Sequence, residues 1–387
     1  AEVPEAWSRP TLAEALPDSS AGDHWRWWED FGDTNLNGLV EKSLIHNNDL
    51  AQAAGRVLEA RAQTRGAESA RWPSIEIGGG ASRSKNSTAQ TFGFTDPYRN
   101  SFSASANLNY EVDLWGRLSR GKEAAVAALR ASEQDRRAVA QSLIATVVRT
   151  WLEIRELQLQ IALNESTVDN FTRNLDFVRK RYERGLVSSL DVHLAAQNLA
   201  SAQAAGPSFR QRLAQSTRAL EILIGQYPDG VLPAAAQTAG TLPAPLPPVP
   251  AGLPSGLLER RPDLAAAEMR LHSAVAQIGQ AKAALYPRIS LTGSAGSAST
   301  ELSDLFTDPT QFWSLAGNLF MPLINRGATK SQIEAAEARA QQAVAGYRAA
   351  VLQAFAEVEN ALDQDHYQTT QESYLEDSVL QARRSVE

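Results

Sequence analysis

Residues 116–185 read GRLSRGKEAAVAALRASEQDRRAVAQSLIATVVRTWLEIRELQLQIALNESTVDNFTRNLDFVRKRYERG, and this stretch has the pattern of one long helix. Apolar residues recur at steps of three and four from Val126 to Tyr182, with these interruptions: Glu133, Arg136, Thr150 and Asn164. The stretch contains no proline, and no glycine lies between Gly121 and Gly185. At about 1.5 Å per residue, roughly 65 residues span ~100 Å. A helix of that length needs partner helices to cover its apolar stripe.

The segment RYERGLVSSLDVHLA (181–195) predicts the end of this helix and the start of the next. Gly185 suits the position just past a helix C-terminus, and Ser188 or Ser189 can cap the following helix. Asp191 then lies in the first turn, where a negative charge is favourable. We therefore expect a return helix from about 189 to 224 that runs antiparallel to the first.

Two segments after Trp72-Pro73 change from helical spacing to strict alternation, which predicts two strands of a hairpin at 74–84 and 100–112. A second hairpin is predicted between Pro287 and Pro322. Each strand carries apolar or small residues on one face and Ser, Asn or Thr on the other, and each has the length of a membrane β-strand. The residues predicted to face lipid are Ile75, Ile77, Phe102, Leu108, Tyr110, Ile289, Leu291, Trp313, Leu315 and Leu319.

The second hairpin belongs to a repeat of the first half of the chain. DLAQAAGRVLEARAQTRGAESARWPSIEIGG (49–79) aligns without gaps with DLAAAEMRLHSAVAQIGQAKAALYPRISLTG (263–293). The chain is therefore predicted to be a tandem duplication of a helix, a hairpin and a long helix. The second copy stops at Glu387, before the point at which the first copy turns into its return helix.

This organisation divides the chain into eight predicted segments. They are an N-terminal arm (1–36), a helix of repeat 1 (37–71), the first hairpin (72–114), the long helix with its tip and return helix (115–225), a Pro-rich linker (226–261), a helix of repeat 2 (262–285), the second hairpin (286–324) and a second long helix (325–387). In the arm, the aromatic cluster of Trp25, Trp27, Trp28 and Phe31 is expected to pack onto the body rather than to bind a ligand.

Composition excludes several functional classes. The net charge is −7 with no basic stripe, which argues against nucleic acid as a partner. The sequence has no cysteine, which excludes disulfides and thiol chemistry. Its five histidines are scattered singly, so we predict no metal site, cofactor or catalytic residue. No apolar run is long enough for a transmembrane helix.

Four strands cannot close a barrel, and open strand edges are not tolerated in lipid. If the hairpins lie in a membrane, several chains must pool their strands. Eight strands leave a filled interior, whereas twelve strands from three chains would leave an open lumen. The number of strands alone does not decide between two, three and four subunits.

Several irregular motifs, taken together, resemble those of the TolC-type outer-membrane factor (outer-membrane efflux protein) family, and especially its lipid-anchored multidrug branch. They span nearly the whole chain in order and are WWEDFGDTNL (27–36), NNDL (47–50), WPSI (72–75), YEVDLWGRL (110–118), RYERGLVSSLDV (181–192), GLPSGLLERRPDL (252–264), ALYPRISL (284–291) and AFAEVENAL (354–362). The resemblance implies an α+β membrane protein and a homotrimer. Each chain would give four strands to a twelve-stranded outer-membrane β-barrel and antiparallel coiled-coil helices to a periplasmic α-barrel.

The resemblance also implies a function, as a passive exit duct of a tripartite efflux or secretion system in a Gram-negative outer membrane. The implied partners are a periplasmic adaptor, an inner-membrane transporter and outer-membrane lipid, with the adaptor docking at Tyr182, Arg184, Gly185, Leu186, Ser188 and Asp191. The alternative is a trimeric coiled-coil surface scaffold or adhesin with a small anchoring barrel, which would not need the duplication.

Overall fold

The computed structural model describes residues 25–85, 98–231, 242–243, 256, 258 and 260–384. Their contacts divide the chain into two compact units. The first unit consists of the chain up to Gly55, the segment Asp135–Arg261 and the chain from Ala354 onward. The second unit consists of Arg56–Gln134 and Pro262–Gln353. Both halves of the duplication therefore contribute to each unit.

The first unit is helical. It contains α1 (Thr34–His46), the start of α2 (Asn48–Ser69), the larger part of α3 (Arg117–Glu183) and α4 (Ser189–Leu223). Its core joins residues of the N-terminal segment, α1, α3 and α4, all of them largely removed from solvent: Trp28, Leu36, Leu39, Val40, Leu143, Ile144, Val147, Val148, Trp151, Ile154, Leu220 and Ile224. Trp28 is 1% exposed, and Trp27 and Phe31 pack against the same core, which confirms the packing predicted for these three residues. Trp25 is 41% exposed and contacts the edge of the cluster at Trp28.

The single helix predicted over 37–71 is wrong, because the structure has two helices that meet at Asn47. The Asn47 backbone is extended, at φ −69° and ψ 129°. Its side-chain oxygen accepts hydrogen bonds from the amides of Asp49 and Leu50, at 2.9 and 3.0 Å, and so caps α2. Its amide nitrogen donates to the carbonyl oxygen of Leu223 at 3.1 Å, which ties the break to the end of α4.

The predicted apolar stripe of α3 is confirmed. It is fully buried at Val147, Ile154 and Leu157. Nearer the turn it is mostly half-buried, with Leu175 buried and Tyr182 exposed. The predicted antiparallel return of α4 is confirmed as well, since Asn164 donates to the Ala202 carbonyl oxygen at 2.9 Å and Glu165 pairs with Arg210 at 2.9 Å. Within the described residues, no helix has a stretch both long and apolar enough to cross a membrane.

The described residues of the second unit include a four-stranded sheet. Its strands are β1 (Ser74–Lys85), β2 (Tyr98–Val112), β3 (Arg288–Ser299) and β4 (Gln311–Phe320), paired antiparallel in the order β1-β2-β3-β4. Both predicted hairpins are therefore confirmed, and β2 pairs with β3 to join the two repeats. The register is uninterrupted over all three strand pairs, so no bulge changes the side to which a residue points.

In the second unit, each hairpin has one helix before it and one after it. The remainder of α2 and the start of α3 flank the first hairpin, while α5 (Pro262–Ala283) and the first part of α6 (Ala328–Arg384), as far as Gln353, flank the second. The rest of α6 belongs to the first unit. Pro262 is the first residue of α5, a position where its missing amide hydrogen costs nothing. The Ser273 hydroxyl in α5 donates to the Ala124 carbonyl oxygen in α3 at 2.9 Å, which links the first helix of repeat 2 to the long helix of repeat 1.

Asn47→Ala should lower the free energy of unfolding by about 2 kcal/mol. The change removes the cap of α2, whose Asn47 side chain is buried, and leaves the Leu223 carbonyl without its partner in a partly buried position. Denaturant unfolding followed by helical circular dichroism measures the loss. Asn48→Ala makes the same chemical change at the next, exposed residue and should shift stability by less than ~0.5 kcal/mol; equal losses in the two variants would contradict the role given to Asn47.

Candidate functional site: a helical tip and a two-faced sheet

The turn between α3 and α4 is closed by backbone hydrogen bonds at the end of α3. The amide of Gly185 donates to the Tyr182 carbonyl oxygen at 2.8 Å. The amide of Leu186 donates to the Arg181 carbonyl oxygen at 2.9 Å. This is the Schellman arrangement, which needs a left-handed residue just past the helix. Gly185 supplies it with φ +71°, as the sequence predicted.

A capping box starts α4 on the other side of the turn. Of the two serines considered, Ser188 is the cap: its hydroxyl accepts from the Asp191 amide at 3.4 Å, while the Asp191 carboxylate accepts from the Ser188 amide and hydroxyl, each at 2.8 Å. These hydrogen bonds from Ser188 hold the pKa of Asp191 below its ordinary value of 3.8. The ionised carboxylate therefore stabilises the turn above that value, and this stabilisation is lost as the pH falls through the lowered pKa.

All six residues predicted for the tip lie within ten positions of one another and are exposed: Tyr182, Arg184, Gly185, Leu186, Ser188 and Asp191. Leu186 is 63% exposed, and sequence reasoning missed its equally exposed neighbour Leu190. Exposed leucines on a structured turn make an apolar patch with charged residues beside it. That combination is typical of a contact surface for another protein.

The sheet has one apolar face. Residues directly opposite each other in a sheet point to the same side, and the registry rows Ile75–Leu108–Gly293–Leu315 and Ile77–Ala106–Ala295–Trp313 cross all four strands. All ten residues predicted to face lipid fall on this side. Several of them are largely exposed within a single chain, with Ile77 at 88% and Trp313 at 80%.

The opposite face is polar. It carries the row Glu76–Asn107–Ser294–Ser314, and its side chains bond across strands. The hydroxyls of Ser294 and Ser314 are 2.8 Å apart, and the Asn318 amide donates to the Thr292 hydroxyl at 3.2 Å. The sheet therefore has one apolar face and one polar face that water can hydrate.

Where β2 passes into α3, the structure forms a polar and aromatic junction that sequence reasoning did not find. Arg117 donates two hydrogen bonds to the Glu111 carboxylate, at 2.8 and 2.7 Å. The carboxylate of Asp113 accepts from the first amides of α3, and the indole of Trp115 stacks on the Tyr286 ring with centroids 4.8 Å apart. The Trp115 indole nitrogen also donates to the Pro287 carbonyl oxygen at 2.8 Å, so the end of the first hairpin is held to the start of the second.

The part of the chain that the structure describes contains no group of three potential metal-ligating side chains. The features that stand out are instead surfaces: the tip and the two-faced sheet. Long paired helices combined with such a sheet define a TolC-like channel of the outer membrane, and solved structures share this fold. A membrane protein from Pseudomonas aeruginosa superposes with a TM-score of 0.87 at 31% identity, covering 97% of this chain and 84% of that one.

The chain belongs to the outer membrane efflux protein family, whose sequence model matches residues 39–226 and 253–387. The pyoverdine export outer membrane protein OpmQ of Pseudomonas putida is 32% identical over 98% of this chain and 80% of its own length. The cation efflux system protein CusC of Escherichia coli K12 is 33% identical over 89% of this chain and 74% of its own length.

The chain is accordingly an efflux duct of the Gram-negative outer membrane that extends into the periplasm. Its family consists of transport channels rather than enzymes. The comparisons give no support to the alternative of a surface scaffold or adhesin.

Proposed function

We infer that three copies of this chain form one channel, with a twelve-stranded barrel in the membrane and a tube of helices in the periplasm. The observation that carries this is the strand order: β1 and β4 are the edges of the sheet, and within the described residues each pairs with another strand on one side only. Unpaired backbone groups are too costly in lipid for these edges to stay open. Pairing β4 of one copy with β1 of the next closes the sheet, and twelve strands leave an open lumen where eight would not.

A disulfide scan between the two edge strands tests this assembly. The sequence has no cysteine, so Gly78→Cys in β1 can be combined in turn with Ser314→Cys, Ala316→Cys or Asn318→Cys in β4. All four positions lie on the polar face, and oxidation of the pair in register should yield covalent trimers on a denaturing gel.

The matched control pairs Asn107→Cys with Ser294→Cys, which lie opposite each other in β2 and β3 of one chain. This pair should close within a single chain and leave a monomer on the same gel. Covalent chains that end at dimers or tetramers, or no intermolecular bond at any register, would contradict the trimer.

The apolar face of the sheet contacts lipid and the polar face lines the aqueous path. The uninterrupted register supports this assignment, since it keeps most large apolar side chains on one side and Ser, Asn, Thr and Glu76 on the other. Phe312 and Phe320, near the two ends of β4, are the exceptions on the polar face. Such a duct needs no catalytic group, because its cargo crosses passively through water. The relatives named above export pyoverdine and cations, and another belongs to a toluene efflux pump. Cargo choice therefore belongs to a partner rather than to this barrel.

Nitroxide labels on neighbouring residues of β4 test the two faces. A label at Leu315→Cys should be reached from the bilayer by molecular oxygen, whereas one at Ser314→Cys should be reached by a water-soluble nickel complex. Electron paramagnetic resonance of the protein in phosphatidylcholine vesicles measures both accessibilities. The reverse order, or equal access at the two sites, would overturn the assignment of the faces.

The tip between α3 and α4 is the docking site of a periplasmic adaptor, which links the duct to an inner-membrane transporter. Support comes from the exposure of all six tip residues and from the fixed conformation of the turn. Apart from Gly185 and its two chain neighbours, no residue has an atom within 4 Å of where a Cβ at Gly185 would be, so the space above this residue is open to a partner. Docking of the adaptor at this turn opens the periplasmic mouth.

Gly185→Asn should abolish efflux while the trimer still assembles. Asparagine tolerates positive φ, so the turn persists, but its side chain occupies the open space where the adaptor would dock. Resistance of an expressing strain to a compound that the wild type exports should fall to the level of a deletion strain, with helix content unchanged.

Gly327→Asn is the control for this change, because Gly327 also has positive φ and open surroundings but lies outside the tip. It should leave resistance intact. Unchanged resistance in the Gly185→Asn strain would remove the docking assignment.

A further inference from the structure

The outer end of the first hairpin, where β1 ends at Lys85 and β2 begins at Tyr98, carries a basic and aromatic cluster. Lys85 lies directly opposite Tyr98 in the register, and Arg83 lies opposite Asn100. The Arg83 guanidinium carbon is 5.2 Å from the centroid of the Tyr98 ring, and the Lys85 ammonium nitrogen is 5.5 Å from it. Both distances are within the range of a cation–π interaction, so one ring holds two positive charges close together.

This cluster lies on the apolar face of the sheet. Alternation along β1 places Ile75, Ile77 and Ala81 on that face, and the next two residues on the same side are Arg83 and Lys85. Tyr98 is in register with Lys85 and points the same way. The apolar band therefore ends at this point in two cations and a tyrosine, which is the composition expected where a membrane surface meets water.

The two cations of this cluster are accessible to solvent. Arg83 and Lys85 are exposed and Tyr98 is 48% exposed. The acidic residues of β1 and β2, Glu76 and Glu111, alternate onto the polar face. Among the residues that the structure describes, neither cation forms an ion pair with a carboxylate, including that of Glu301 beyond β3.

The connections of the strands fix which membrane surface this end meets. β1 starts after α2 and β2 leads into α3, so the opposite ends of these two strands join the helices. The protein extends into the periplasm, and its long helices belong on that side. The end at Lys85 and Tyr98 therefore faces the outer leaflet.

We propose that Arg83, Lys85 and Tyr98 bind the phosphate group of an anionic lipid in the outer leaflet of the outer membrane. The guanidinium can donate two parallel hydrogen bonds to a phosphate, and the ammonium adds a second positive charge. Tyr98 holds both cations over its ring and contacts the lipid at the depth of its head group. This inference rests on the lipid-facing assignment of the apolar face.

The test uses the full chain purified in detergent micelles, with lipid A carrying two phosphates as one probe and its dephosphorylated form as the other. Native mass spectrometry gives the dissociation constants of both. We expect the wild type to bind the phosphorylated form about ten-fold more tightly. The double variant Arg83→Gln with Lys85→Gln should bind the two forms equally.

The control variant Arg99→Gln with Lys330→Gln removes the same net charge. Arg99 lies at the same end of the hairpin but on the polar face, and Lys330 lies in α6. This variant should keep the ten-fold preference, and circular dichroism checks that both variants fold. A preference that survives in the Arg83/Lys85 variant, or its absence in the wild type, overturns the proposal.

Two further arms separate the remaining explanations. Inorganic phosphate in excess should not displace the lipid, and full displacement would mean that the site binds free phosphate instead, which also overturns the proposal. The nitroxide measurement at Leu315 and Ser314 reports the lipid-facing assignment separately. If those labels behave as expected and the phosphate preference is missing, only the lipid site is wrong; if the labels are reversed, both conclusions fall.

Discussion

The backbone groups of an edge strand must find hydrogen-bond partners when the strand lies in hydrocarbon, and this requirement governs the molecule. In the part of the chain that the structure describes, four strands leave two edges, at β1 and β4. Water could satisfy those groups in a soluble protein, but lipid cannot. In the proposed channel, this requirement is met by pairing the edge strands of neighbouring copies. It also explains why the strands carry side chains suited to two different environments on their two faces.

The duplication gives both halves of the chain the same order of structural elements. In both copies a helix leads into a hairpin and the hairpin leads into a long helix, and β2 pairs with β3 so that the copies share one sheet. The junction between strand and helix is stiffened by the Glu111–Arg117 pair and by the Trp115–Tyr286 stack, which spans the two repeats. These contacts, all within one unit, therefore connect the sheet to the helices that adjoin it.

Local patterns predicted most of this fold. Alternation predicted the strands and their faces. Successive side chains of a strand point to opposite sides, so the order of apolar and polar residues along the chain directly gives the two faces. Gly185 and Ser188 were predictable because capping chemistry depends on neighbours along the chain. The break at Asn47 was not predictable in this way: its amide reaches the Leu223 carbonyl, 176 residues away in sequence. The Asn164–Ala202 contact and the Trp115–Tyr286 stack were missed for the same reason, since both join residues brought together only by folding.

The turn between α3 and α4 is ordered by its own hydrogen bonds, through the Schellman closure at Gly185 and the reciprocal cap of Ser188 and Asp191. A partner that meets this turn encounters a surface already in its final conformation. Association then loses little conformational entropy on the side of the duct, and its strength depends on how well the two surfaces fit. A preformed turn of this kind can engage and release repeatedly without refolding at each cycle.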